Sequence, residues 1–161
     1  MGTNLITALI AASVINIFKD TLEQVIFLAV LMPIIASMGG VAATQTLTIT
    51  VRGLALGQIV KANYLYLFNR ELIVGISNGF LWAVILSLIA CTWFQDWLLA
   101  WVICLSMIIN LTAGVLSGMG IPILLRSLKL DPAVAGSVIV TTVTDVIGFF
   151  SFLGLASYFY S

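Results

Sequence analysis

Long apolar runs, separated by short polar segments, make up most of this sequence. An α-helix needs about 20 apolar residues to cross the hydrocarbon core of a bilayer. Five runs bounded by charged or polar residues come near that length or exceed it, although the first is short. They predict an all-α integral membrane protein with five transmembrane helices, at residues 5–18, 22–50, 72–94, 97–125 and 132–160. The last is predicted to begin with Pro132 in its first turn, after Asp131 as its N-cap.

The composition agrees with this interpretation and excludes several other classes of protein. Hydrophobic residues make up 62% of the 161 residues and charged residues 7%, against roughly 25% charged residues in soluble domains. Six basic and six acidic residues cancel, so no basic surface for nucleic acid is expected and the lipid bilayer is the first partner. With no histidine and only Cys91 and Cys104, neither a zinc site nor a disulfide framework is expected.

The basic residues are unevenly distributed between the two sides of the predicted bundle. Five of the six follow the second or the fourth span: Arg52, Lys61, Arg70, Arg126 and Lys129. Since basic loops are retained in the cytoplasm, the N-terminus is predicted to be cytoplasmic and the C-terminus outside. Residues 52–70 are predicted to form an amphipathic link along the cytoplasmic interface. No basic segment precedes the first run, which is therefore predicted to stay in the membrane rather than to be a cleaved signal peptide.

Asp145 lies deep inside the fifth predicted span, in the segment VTTVTDVIG. An acid at the centre of a membrane helix costs at least ~2.5 kcal/mol on insertion scales, so its presence is a functional hypothesis. Helical spacing places Thr141 and Gly148 on the same face as Asp145. Because no basic side chain lies deep in the spans, a cation from solution is the natural counter-charge. The alternative is that Asp145 only joins helices, by bonding Thr141 or an asparagine of another span.

The segment MPIIASMGGVAATQTLT in the second span has two interpretations. Pro33 and the pair Gly39 and Gly40 favour a local break, whose carbonyls, together with Thr44 and Gln45, could line a watery pore. Equally, the glycines could serve close helix packing while the threonine hydroxyls bond their own backbone.

Two glycine pairs and two amides in the apolar runs favour helix contacts. Gly75 with Gly79, and Gly114 with Gly118, have the spacing typical of closely packed membrane helices. Asn78 and Asn110 are expected to join helices through hydrogen bonds rather than to touch a substrate.

Three collinear stretches resemble a known family. They are PIIASMGG…TQTLTITVRGLALGQI (residues 33–59), RELIVGISNG (70–79) and GIPILLRSLKLDPAVAGSVIVTTVTDVIGFFSFLGLA (120–156). Together they resemble the membrane domain of the MgtE family of magnesium channels. The phrases VRGLALG, LDPAVA and TTVTDVIGF carry most of the specificity, and the resemblance identifies residues 1–161 as a pore domain.

The resemblance implies a homodimer of five-helix protomers, with an ion path on the two-fold axis lined by the second and fifth helices. In the family, the residue matching Asp145 binds magnesium with help from the backbone carbonyl one turn earlier, here that of Thr141. The pore-lining residues that follow are Gly39, Gly40, Val41, Thr44, Gln45, Thr144 and Gly148. Where the family reads Gly-Gly-Asn-x-Gly-x-Gln, this chain has Val41 in place of the amide and Ala43 in place of the glycine.

The function that the resemblance implies is passive conduction of hydrated Mg²⁺ across the cell inner membrane, with no enzymatic activity. Mn²⁺, Co²⁺ and Ca²⁺ stay open as transported ions, because a hydrated-ion site discriminates by cavity size. A proton-coupled carrier and a non-transporting scaffold are the alternatives. Family members usually carry a cytoplasmic magnesium-sensing domain before the membrane helices, so such a domain, separate or deleted, is an expected partner.

Overall fold

The protein is helical throughout the part of the chain that its structure describes. This computed structural model covers residues 2–160, apart from the side chains of Lys61 and Val134. The elements are α1 (Gly2–Ile17), α2 (Lys19–Gln24), α3 (Phe27–Ala55), a 3₁₀ turn (Lys61–Asn63), α4 (Tyr64–Phe94), α5 (Trp97–Ser127) and α6 (Pro132–Tyr160). The predicted all-α class is confirmed.

Within residues 2–160, four helices are long and apolar enough to cross a membrane, namely α3, α4, α5 and α6. Helix α1 is apolar but has only 16 residues, fewer than the roughly 20 that a crossing needs. It ends at Ile17, and the polar helix α2 begins at Lys19. The structure therefore supports four spans and one short apolar helix, and a fifth crossing at α1 stays a prediction.

The connection between α3 and α4 is shorter than the predicted link of residues 52–70. Helix α3 continues to Ala55 and α4 begins at Tyr64, which leaves residues 56–63 between them. Gly57 ends α3 in the left-handed region at φ 68°. Its N–H donates to Leu54 O, and Gln58 N donates to Gly53 O at 2.9 Å. This pattern is a Schellman motif, for which glycine is preferred because it carries no Cβ.

Helix α3 is continuous through Pro33, Gly39 and Gly40, so the predicted local break is wrong. A proline is tolerated inside a membrane helix when neighbouring helices hold the segment. The threonine hydroxyls donate to their own backbone, Thr44 to Gly40 O at 2.9 Å and Thr48 to Thr44 O at 2.8 Å. The alternative of close packing with threonine back-bonding is confirmed.

Helix α5 is the centre of the bundle and packs against α3, α4 and α6. It runs parallel to α3, because Gly114 faces the Gly39 carbonyl and Gly118 faces the Ala43 carbonyl. A Cβ added at Gly114 would lie only 2.7 Å from Gly39 O. Helices α4 and α6 run antiparallel to α5, and α1 lies along α6 on the outside of the bundle.

The glycines of α4 also serve packing, as their spacing predicts. A Cβ at Gly75 would lie 3.1 Å from Val115 Cβ, and one at Gly79 would lie 3.3 Å from Ile108 Cα. Further along the same pair of helices, Ser87 Oγ donates to Ala100 O at 2.9 Å.

Polar contacts join the helix ends. Arg126 Nη1 donates to Leu54 O at 2.7 Å, which brings the C-terminal ends of α3 and α5 together. At the opposite end, the Tyr160 hydroxyl donates to Asp96 Oδ2 and so ties α6 to the start of α5. The loops that follow α3 and α5, which contain Lys61 and Lys129, therefore lie at the same end of the bundle.

Aspartates cap the starts of α5 and α6. Asp96 Oδ1 accepts from Leu98 N at 2.8 Å, and Asp131 Oδ1 accepts from Ala133 N at 2.9 Å. An N-cap carboxylate satisfies backbone N–H groups that have no partner within the helix. The predicted start of the last helix, with Asp131 as cap and Pro132 in the first turn, is confirmed.

Candidate functional site

Asp145 lies near the middle of α6 and is half-buried in the single chain. Its carboxylate has no hydrogen bond or ion pair with the residues that the structure describes; the one ion pair found there joins Lys19 and Glu23. Asp145 is the only charged side chain in the sequence after Asp131. The carboxylate is therefore an isolated negative charge on a membrane-spanning helix.

The alternative in which Asp145 only joins helices is not realised within the part of the chain that the structure describes. Thr141 Oγ1 donates to Ser137 O at 2.9 Å and to Val138 O at 3.1 Å, rather than to Asp145. The buried amide of Asn110 donates instead to Ile35 O at 2.8 Å. As expected from the sequence, Asn110 joins two helices.

Five residues of α3 and α6 form what we call the α3–α6 face: Gly40, Thr44, Thr141, Thr144 and Asp145. A Cβ built on Gly40 would lie 3.9 Å from Thr144 Oγ1, so the two helices are in ordinary contact there. Thr144 is buried, whereas the other four are partly exposed. The structure thus brings together the predicted ion ligands of α6 and part of the predicted pore segment of α3.

The Thr141 carbonyl, a predicted oxygen partner of the ion, is already engaged in the protein. It accepts a hydrogen bond from Thr144 Oγ1 at 2.9 Å. The same hydroxyl lies 3.3 Å from Val140 O. Because a hydroxyl donates one proton at a time, turning toward Val140 would free one lone pair of the Thr141 carbonyl, whose other partner within the helix is the N–H of Asp145.

Gly39 and Gly148, also predicted to line the pore, are buried behind the α3–α6 face. Both pack against the side chain of Asn110 on α5. Their lack of a side chain allows α3, α5 and α6 to approach closely at this depth.

Val41 and Gln45, the other predicted pore residues, lie on a different side of α3. They line a cavity of about 260 Å³ between α3 and α4, which we call the α3–α4 groove. Asn78 and Trp82 of α4 line its opposite wall. The side chains of Gln45 and Asn78 are exposed there. The predicted pore segment of α3 is thus divided between two surfaces.

The described residues of the chain offer few groups that could hold a metal ion. Residues 2–160 contain no group of three or more His, Cys, Asp or Glu side chains placed to bind one. On the α3–α6 face, the chain supplies one carboxylate, that of Asp145, together with hydroxyl and carbonyl oxygens.

Comparison with known proteins identifies relatives across nearly the whole chain. The sequence profile of the MgtE family, described as a divalent cation transporter, matches residues 32–155. The magnesium transporter MgtE of Bacillus subtilis is 35% identical over 155 residues, which are 96% of this chain and 34% of that protein. The magnesium transporter MgtE of Enterococcus faecalis is 29% identical over 157 residues, 98% of this chain and 35% of that protein.

A third relative, the magnesium transporter MgtE of Thermus thermophilus, is 29% identical over 152 residues. The match covers 94% of this chain and 34% of that protein. The chain thus spans between 34% and 35% of the length of these relatives. Because the family profile covers most of its residues, the chain belongs to the MgtE family of divalent cation transporters.

Proposed function

We propose that the chain forms the ion path of a magnesium transporter and that a hydrated Mg²⁺ passes at Asp145. The observation that carries the proposal is a carboxylate without a counter-charge near the middle of a membrane-spanning helix. Magnesium loses its water reluctantly and is commonly held through one or two carboxylates. The names of the relatives, all magnesium transporters, support the same ion.

We further propose that two copies of the α3–α6 face meet on a two-fold axis. Two copies of Asp145 would then supply two negative charges, which balance one divalent cation. The partial exposure of Gly40, Thr44 and Thr141 in one protomer supports this arrangement, because small and hydroxylated residues let membrane helices approach closely. The hydroxyls and the Thr141 carbonyl would accept hydrogen bonds from the water shell of the ion.

Asp145→Asn tests the proposal directly, with Mg²⁺ uptake into proteoliposomes as the measurement. The amide has the size of the carboxylate but no charge, so the ion loses its counter-charge while the packing is kept. We expect uptake to fall by at least about tenfold, which corresponds to ~1.4 kcal/mol. Glu71→Gln is the matched control, because Glu71 lies on α4 away from the α3–α6 face and loses the same charge.

Two outcomes would contradict the proposal: uptake by Asp145→Asn equal to that of the parent chain, or an equal loss in both variants. Complete absence of ion flux in the parent chain would support the scaffold alternative.

The same vesicles separate passive conduction from proton coupling. Passive conduction predicts uptake that follows the membrane potential at equal pH on both sides. A carrier that protonates Asp145 in each cycle predicts that uptake also requires a pH gradient.

A further inference from the structure

Asn110 lies wholly inside the bundle, on α5, with an exposed fraction of 0%. Its Nδ2 donates to Ile35 O of α3 at 2.8 Å, while its Oδ1 has no hydrogen-bond partner. If the amide were turned over, Oδ1 would face the Ile35 carbonyl, and both of these oxygens are acceptors. The contact with Ile35 therefore requires Nδ2 on that side and leaves Oδ1 without a partner.

The amide of Asn110 fills the space between the two helices of the α3–α6 face. A Cβ added at Gly39 of α3 would fall on the amide itself, and one at Gly148 of α6 would lie 2.7 Å from Nδ2. Gly39 directly precedes Gly40, and Gly148 is three residues after Asp145. Asn110 therefore lies directly behind the face, at the depth of Asp145.

Stability alone does not explain an asparagine at this position. A buried acceptor without a partner destabilises the folded protein, and an apolar residue would avoid that cost. The properties that need an explanation are therefore the hydrogen bond from the amide to α3 and the volume of the amide.

We propose that Asn110 is a positioning residue that sets the separation of α3 and α6 at Asp145, and thereby the ion selectivity. The selectivity part rests on the proposed function, whereas the separation part does not. A hydrated-ion site discriminates by cavity size, so a residue that controls the spacing controls the choice of ion without touching it.

An engineered disulfide measures the separation without any transport assay. Gly40→Cys and Thr144→Cys are introduced together in a chain that also carries Cys91→Ser and Cys104→Ser. The Cβ position at Gly40 lies 3.9 Å from Thr144 Oγ1, so side chains at these two positions are in contact and a change in helix separation alters how often their sulfurs meet. The rate of disulfide formation is then compared between Asn110, Asn110→Ala and Asn110→Leu.

We expect the rate to follow the volume of the side chain at position 110. Leucine overfills the space beside the two glycines and pushes the helices apart, so the disulfide forms about tenfold more slowly. Alanine lets the helices approach, so it forms faster than in the parent chain. Equal rates in all three chains, or the reverse order, would overturn the proposal.

Two further variants provide a control and a rescue. Thr112 Oγ1 is also buried without a partner, so Thr112→Val removes a hydroxyl from the same helix at nearly constant size. Its rate should stay within about twofold of the parent. In the double variant Asn110→Ala with Gly39→Ala, the new methyl group occupies the vacated space, and the rate should return toward that of the parent.

A rate change in Thr112→Val as large as in the Asn110 variants would contradict a specific role for Asn110. If Asn110→Leu does not fold, the alanine variant and its rescue decide the question, because both only reduce or restore volume.

The transport readout is the ratio of Mg²⁺ uptake to Ca²⁺ uptake in proteoliposomes. Asn110→Ala should change this ratio by about fivefold, whereas general damage to the fold would lower both rates alike. An unchanged ratio would overturn the selectivity part. If Asp145→Asn retains full uptake, the proposed function fails, but the disulfide rates still test the separation of α3 and α6.

Discussion

Helix α3 has two polar sides, and they differ in the kind of polarity that they carry. Toward α6 it contributes Gly40 and Thr44 to the α3–α6 face, to which α6 contributes Asp145; toward α4 it presents Gln45, across a groove from Asn78. Neutral amides are satisfied by any hydrogen-bonding group, but a carboxylate inside a membrane needs a compensating charge. The comparison indicates that the candidate ion path is better identified by a charge without a counter-charge than by polar side chains in general.

The two sides of α3 also differ in how closely the neighbouring helices pack there. Behind the α3–α6 face, Gly114 and Gly118 bring the backbone of α5 against that of α3. On the other side, α3 and α4 hardly contact each other, and the groove of about 260 Å³ stays open between them. A face that packs tightly against a neighbouring helix holds its oxygen atoms in fixed positions, as an ion site requires.

The largest effect is expected from a substitution that fills the space between Gly118 of α5 and helix α3. A Cβ there would lie against the Ala43 carbonyl and 2.9 Å from Thr46 Cβ. Gly118→Ala should therefore lower the free energy of unfolding by about 1–3 kcal/mol, measured by thermal denaturation in detergent. Gly120→Ala is the control, since nothing lies within 4 Å of its Cβ position. Equal stability of the two variants would show that the close packing of α5 against α3 contributes little to the free energy of unfolding.

A smaller effect is expected from neighbouring substitutions on the two sides of α3. Thr44→Val removes a hydroxyl from the α3–α6 face at constant size and should lower Mg²⁺ uptake by about fivefold. Gln45→Leu alters only the α3–α4 groove and should leave uptake unchanged. A loss in Gln45→Leu that equals or exceeds the loss in Thr44→Val would instead support Gln45 as a pore-lining residue, as the family resemblance implies.

The smallest effect is expected at the hydrogen bond that links the end of α6 to the turn between α4 and α5. Tyr160→Phe removes the hydroxyl that donates to Asp96, and should cost about 0.5–1.5 kcal/mol of unfolding free energy. Tyr158→Phe serves as control, because Tyr158 is 79% exposed and belongs to the same helix. Identical melting temperatures of the two variants would mean that this hydrogen bond does not stabilise the contact between α6 and the start of α5.

Several features of the candidate site could be predicted from the sequence because they depend on neighbours along one helix. The 3.6-residue period was enough to place Asp145 and Thr141 one turn apart on α6, and short-range capping was enough to predict Asp131 at its start. Gly148, which the same period grouped with them, is instead buried against Asn110 of α5. The break at Pro33 was predicted wrongly, since local propensity does not include the support that α5 and α6 give to α3. The division of Thr44 and Gln45 between two surfaces could not be predicted either.

By itself, the sequence determined four helices long and apolar enough to cross a membrane, the lone carboxylate at Asp145 and membership of the MgtE family. Tertiary structure alone decided that Asn110 meets Gly39 and Gly148, and that Tyr160 reaches Asp96, 64 residues away. The physical reason is that these helices are apolar on nearly every side, so hydrophobic periodicity does not determine their rotation about their own axes. Only the packing of glycines and amides between helices determines which residues face one another.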